Sequence, residues 1–319
     1  YYYSLTYIHY TNFYSCAMTA IYGDYYAGGT LLGVYNSNFY QTQTTSNTFY
    51  NTSAPFTGIH SDGPISVGVF NNNYFYLSYD ANTVPTQGYQ VYYNGYNGGS
   101  YPTLALGSFY QNTFANSVTN GTSILCLNFS SVFSTLIRAN TFISAPAPPG
   151  TISAQWQLGV LDANGLVVKQ NNFNNPLMRD GIHLQGNYNS LYCQNTINKN
   201  TYGIHATLEN EIDLAKTTFG SHNYGLFLDK IGTTEPIIGP QYFKENEWPV
   251  TNVLQAYNEA TNPSSVAASL LTVDPSLPNN YPTFSPTGWV NPILNTGERN
   301  MCENQAGPEM MLSRDPEEL

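Results

Sequence analysis

Four glycines, Gly159, Gly181, Gly203 and Gly225, recur at an interval of 22 residues, and each opens a short phrase: Gly159-Val160-Leu161, Gly181-Ile182-His183, Gly203-Ile204-His205 and Gly225-Leu226-Phe227. A fixed period of this size marks a solenoid, in which one repeat buries its apolar side chains only by stacking on its neighbours. The interval constrains architecture far more than chemistry.

A second phrase recurs out of phase with the first: Asn47-Thr48-Phe49, Asn73-Tyr74-Phe75, Asn112-Thr113-Phe114, Asn140-Thr141-Phe142, Asn171-Asn172-Phe173 and Asn195-Thr196-Ile197, with Thr217-Thr218-Phe219 a degenerate copy. Asn12-Phe13 and Asn38-Phe39 are rougher forms. The step of 39 residues from Phe75 to Phe114 predicts a long excursion or a degraded repeat around Thr86–Pro102.

Short runs such as Gly-Ile-His-Leu alternate apolar and polar residues and suit brief strands with one buried face. Alternation predicts Ile182, Ile204 and Leu226 in one internal column, with His183, His205 and Phe227 outward and Leu161 continuing the outer column below. Glycine before each strand is expected to turn a corner at positive φ, and Asn to tolerate the left-handed region. Stacked asparagines are expected to hydrogen-bond along the stack, with the following phenylalanine inside. No sustained 3.6-residue apolar stripe precedes residue 250, so helix is expected to be scarce. A leucine-rich repeat has a similar period, but its spaced leucine framework is missing.

These phrases resemble those of the right-handed parallel β-helix, or pectin-lyase-like, superfamily, over roughly Tyr7 to Trp248. The resemblance implies an all-β, right-handed parallel β-helix solenoid. A narrower resemblance, in Gly239 to Val273 with Asn246-Glu247-Trp248, is to the end of the β-helical region in large surface proteins exported by type IX secretion systems.

Two regions are read from the chain: a β-helix over residues 1–250 and a C-terminal cap and linker over 251–319. Prolines from Pro263 onward break regular repeats, and a short helix is expected at Asn252–Glu259 or Ser264–Leu271. A cap is expected there because an uncovered last rung leaves backbone groups unpaired. Both ends read as those of a piece of a longer, processed polypeptide.

Residues 1–178 hold four acids and two bases; the other 16 acids and seven bases follow. A net charge of −11 without a basic run argues against nucleic acid and anionic membrane partners. No apolar stretch is long enough to cross a bilayer. Cys16, Cys126, Cys193 and Cys302 are too widely separated for a disulfide framework or a zinc spacing, and are read as buried thiols, with Cys302 a pairing candidate in the tail.

Three groups are candidates for chemistry. Arg179-Asp180-Gly181-Ile182-His183, with His205 one repeat above, sets two imidazoles near a carboxylate and a guanidinium. Asp180, His183 and His205 are therefore the catalytic candidates, weighed against plain solvated surface. Glu209, Glu211 and Asp213, alternating on one strand, are the metal candidates, weighed against acidic residues that keep a strand edge soluble. Tyr92, Tyr93, Tyr96 and Tyr101, amid glycine and asparagine, are the ligand-binding candidates, weighed against tyrosines that merely stabilise stacking.

The sequence favours a non-catalytic structural or adhesive segment of a large secreted or cell-surface protein, placed outside the cell and needing no cofactor. Its expected partners are other domains of the same polypeptide, other surface proteins or polysaccharide. A polysaccharide lyase or glycoside hydrolase is the alternative reading, and a carbohydrate-binding module the third.

Overall fold

The computed structural model describes residues 4–14, 19–23, 30–43, 56–62, 67–79, 88–94, 108–116, 121–145, 155–242, 244–248, 254–277, 279, 281–294 and 302, and every structural statement concerns these. They form an all-β structure in which every pairing between named strands is parallel, with one short helix, Pro263–Ala268. No helix among them is long and apolar enough to cross a membrane.

The strands fall on three faces that the chain visits in the same cyclic order. The phenylalanine face is an 8-stranded sheet that begins with Asn12–Tyr14 and Asn38–Gln43 and ends with Thr196–Ile197 and Thr218–Phe219. The site face runs from Thr19–Gly23 through Asp180–Gln185, Tyr202–Thr207 and Tyr224–Asp229 to Ala256–Asn258 and Phe284–Ser285. The third face includes Ser4–His9, Thr30–Tyr35, Tyr188–Cys193 and Glu211–Ala215. Two long strands, Gly121–Arg138 and Trp156–Lys169, pass from the site face into the third and join them in a 16-stranded sheet.

Inside, like residues meet like. Ile182, Ile204 and Leu226 are in direct register and fully buried, as alternation predicts. Phe13, Phe39, Phe75, Phe114, Phe142 and Phe173 stack with ring centroids 4.5–5.0 Å apart. Beside them, the buried side chains of Asn73, Asn112, Asn140, Asn171 and Asn195 form the expected ladder. Each of the first four donates from Nδ2 to the Oδ1 of the next, at 2.9–3.1 Å. Each also accepts the preceding rung's backbone N–H, so a polar column crosses the interior with its donors and acceptors matched.

Several expectations shift. Phe39 pairs directly with Phe75, and Asn47-Thr48-Phe49 lies outside the described residues. The 39-residue step contains a regular strand, Gly88–Asn94, which pairs on both sides within the site face. Gly181, Gly203 and Gly225 do not have positive φ: a Cβ on Gly181 would lie 2.7 Å from the Gly203 carbonyl oxygen, and one on Gly225 2.9 Å from that of Gln255. Close packing selects these glycines. The positive-φ corner falls instead on Asn36, Asn72, Gln111, Ala139, Gln170, Gln194 and Lys216, each just before a buried Ser, Asn or Thr at a ladder position. The left-handed conformation costs about 1–2 kcal/mol in a non-glycine residue. Inter-rung bonds offset it, as where the Ala139 N–H donates to the Lys169 carbonyl.

Parallel pairing also continues past residue 250. Ala256–Asn258 pairs with Tyr224–Asp229 and Phe284–Ser285, and Leu271–Val273 pairs with Val290–Pro292. The first expected helix position, Asn252–Glu259, thus contains a strand. The second is close to the observed helix, whose Asn262 cap accepts from the Ser264 N–H and whose first residue is Pro263. Cys302 forms a disulfide with Cys193 on the third face, and Cys126 is a buried free thiol.

Candidate functional site

On the outer side of the site face, one register column runs Tyr92, Leu125, Gly159, His183, His205, Phe227 and Tyr257. The residue below His183 is therefore Gly159 and not Leu161, which pairs with Gln185. The 22-residue spacing misaligned this rung because the strand beginning at Trp156 enters two residues out of step. Trp156, not Leu158, stands opposite Asp180. The indole fills the space above Gly159, where a Cβ would lie 2.9 Å from its Cζ3, and stacks on the His183 ring at 4.2 Å and 5°.

Asp180 opens its strand, and its carboxylate collects four nitrogens. Arg179 donates from Nε to Oδ1 at 2.8 Å and from a terminal nitrogen to Oδ2 at 3.1 Å. His183 Nδ1 lies 3.1 Å from Oδ2, and His205 Nδ1 lies 2.9 Å from the same oxygen. The other side of the His205 ring is also held: Nε2 is 2.9 Å from Asp229 Oδ2, one rung further on. The cluster spans three successive strands and ties them together. Tyr202, 4.9 Å from His205, and Phe227, 5.3 Å from it, wall the imidazoles.

The cluster is not solvated surface. Asp180 is 0% exposed, His205 4% and His183 6%. Burial pushes the Asp180 carboxyl up, yet hydrogen bonds from His183, His205 and Arg179 outweigh it and hold the group below the usual carboxylate range. For His183 burial prevails over the opposing pull of Asp180 and lowers its affinity for a proton. The Arg179 guanidinium loses to burial but gains more from Asp180, and stays firmly charged. One donor atom from each of Asp180, His183 and His205 lies within 4.8 Å of the other two, a convergence suited to a cation.

The other candidates are dispersed. Glu209 lies between a positive-φ corner at Leu208 and the strand Glu211–Ala215, outside the strand itself. Glu211 is exposed, while Asp213 pairs with Lys244 Nζ at 2.5 Å. Among the described residues the three acids form no converging group. Tyr92 lies half-buried in the histidine column, whereas strand alternation turns Tyr93 inward, where burial raises its phenol pKa. Tyr96 and Tyr101 lie outside the described residues.

Sequence reasoning missed Trp156 and Asp229. Each lies two residues off the 22-residue alignment, Trp156 through the shifted entry of its strand and Asp229 through a diagonal contact. No protein-family model, curated protein or solved structure matches the chain.

Proposed function

We propose that this chain is a right-handed parallel β-helix with a Pro-rich, partly helical C-terminal cap, acting as a rigid, non-catalytic segment of a large secreted or cell-surface protein. The pectin-lyase-like phrases, and the likeness to type IX-exported surface proteins, support this reading together with the three-faced parallel pairing. The observation that carries the non-catalytic part is the burial of the Asp180–His183–His205 cluster. A glycosidase acid must reach the glycosidic oxygen, and a lyase base the proton it removes. Under Trp156, Tyr202 and Phe227 neither contact is available to a polymer.

The aromatic surface supports the same view. Tyr202, Tyr224 and Tyr257 stack on one another at 5.6–5.8 Å. Ring faces spent on neighbouring rungs do not remain for sugars, so the stack serves the scaffold. Its partners are then other domains of the same polypeptide or other surface proteins, outside the cell. The test is to incubate the purified chain with a panel of acidic and neutral polysaccharides and assay for new reducing ends and unsaturated uronides. No turnover is expected. Turnover abolished by Asp229→Asn overturns the proposal and installs the hydrolase or lyase reading in its place.

A further inference from the structure

The cluster under Trp156 has a geometry that hydrogen bonds from neutral imidazoles leave unresolved. Both imidazoles direct the same atom, Nδ1, at one carboxylate oxygen, Asp180 Oδ2. On His205, Asp229 Oδ2 faces Nε2 at 2.9 Å. A neutral imidazole has one N–H and one lone pair. If Nε2 donates to Asp229, the His205 Nδ1 lone pair faces the lone pairs of Asp180. A cation between them removes that repulsion.

We propose that Asp180 Oδ2, His183 Nδ1 and His205 Nδ1 bind a divalent transition-metal ion of the zinc class, with Asp229 as the outer carboxylate that orients His205. Two nitrogens and one oxygen are a donor set for zinc-class ions; calcium and magnesium take oxygen ligands. A carboxylate on the far nitrogen of a ligating histidine is the arrangement that fixes its tautomer. With neutral imidazoles, Asp180, Asp229 and Arg179 leave the cluster one negative charge, which a divalent ion offsets. Arg179 anchors Asp180 through both oxygens, Nε to Oδ1 at 2.8 Å and a terminal nitrogen to Oδ2 at 3.1 Å. Trp156 and Phe227 supply a dry wall around the donors. The three donors come from adjacent strands, so the ion clamps two rungs. This inference holds whether or not the chain turns over a substrate.

The experiment uses the whole chain, stripped with a chelator and dialysed, then titrated with Zn²⁺, Co²⁺ or Ca²⁺. One equivalent of Zn²⁺ is expected to bind and raise the melting temperature, Co²⁺ to give the visible absorption of a four-coordinate site, and Ca²⁺ to do neither. Asp229→Asn is expected to weaken Zn²⁺ about 10–100-fold, His205→Gln to abolish stoichiometric uptake, and Glu211→Gln to change nothing. Should the histidine variant fail to fold, histidine ¹⁵N spectra of the unaltered chain decide: Zn²⁺ must shift Nδ1 of His183 and His205. The proposal fails if the stripped chain takes up no stoichiometric Zn²⁺, or takes it up with those two resonances unmoved.

Discussion

Within the phenylalanine face, one rung after another places the same ring in the same place, whereas the outer column of the site face reads Tyr92, Leu125, Gly159, His183, His205, Phe227, Tyr257. Both are products of parallel register. Inside, large apolar side chains recur at most rungs, with Ile197 replacing the ring between Phe173 and Phe219, and a close-packed interior tolerates little change in volume. In the outer column the side chains differ from rung to rung, though packing still constrains them as at Gly159, so unlike groups meet and the column acquires chemistry. The difference shows where function can enter a repeat: at an outer position, assembled from several rungs.

The sharpest way to break this comparison is Phe142→Ala. Phe142 is fully buried between Phe114 and Phe173, with centroids 5.0 and 4.5 Å away. Denaturant unfolding should show a loss of about 3–5 kcal/mol. A loss under about 1 kcal/mol would mean that the ring stack is not what holds the rungs.

Next in size is the contrast between buried histidines. His222, at the corner before Tyr224–Asp229, has Nε2 2.9 Å from the Ile197 carbonyl oxygen, and burial lowers its pKa to about 4. The unfolded chain takes up this proton near pH 6.5 and the folded chain only near 4, so stability is complete above about 6.5 and falls on acidification through that window. The change is on the order of 3 kcal/mol. His183 contributes in the same direction, so the informative quantity is the difference from His222→Gln, whose stability should depend less on pH between 6.5 and 4. Identical slopes for the two proteins would show that His222 is protonated alike in both states. Below about pH 4, both should lose stability further as Asp180, held low in the fold, is protonated.

The smallest effect is expected outside. Tyr224 is half-buried between Tyr202 and Tyr257, and Tyr224→Ala should cost about 1 kcal/mol by the same unfolding measurement. A loss matching that of Phe142→Ala would erase the distinction between inner and outer columns.

Much of the fold was legible. The Ile182, Ile204, Leu226 column and the asparagine ladder followed from alternation and from the Asn-x-Phe phrase, because both depend on local sequence repeated at one register. The corner was misread: glycine was expected at positive φ, but Gln, Ala and Lys occupy it, held by bonds from the next rung. Of the site, Asp180, His183, His205 and Arg179 were legible as neighbours. Their burial was not, since it depends on Trp156 crossing Gly159 from a strand that enters out of step.

The sequence by itself determined the strand class, the period and which side chains recur in the interior, since each is set by spacing along the chain. Only the tertiary structure decided that Asp229 reaches His205, that Cys302 joins Cys193, and that pairing continues beyond residue 250. Those contacts link residues whose relative positions depend on the summed lengths of irregular loops and on the register of each strand. No local pattern encodes that sum.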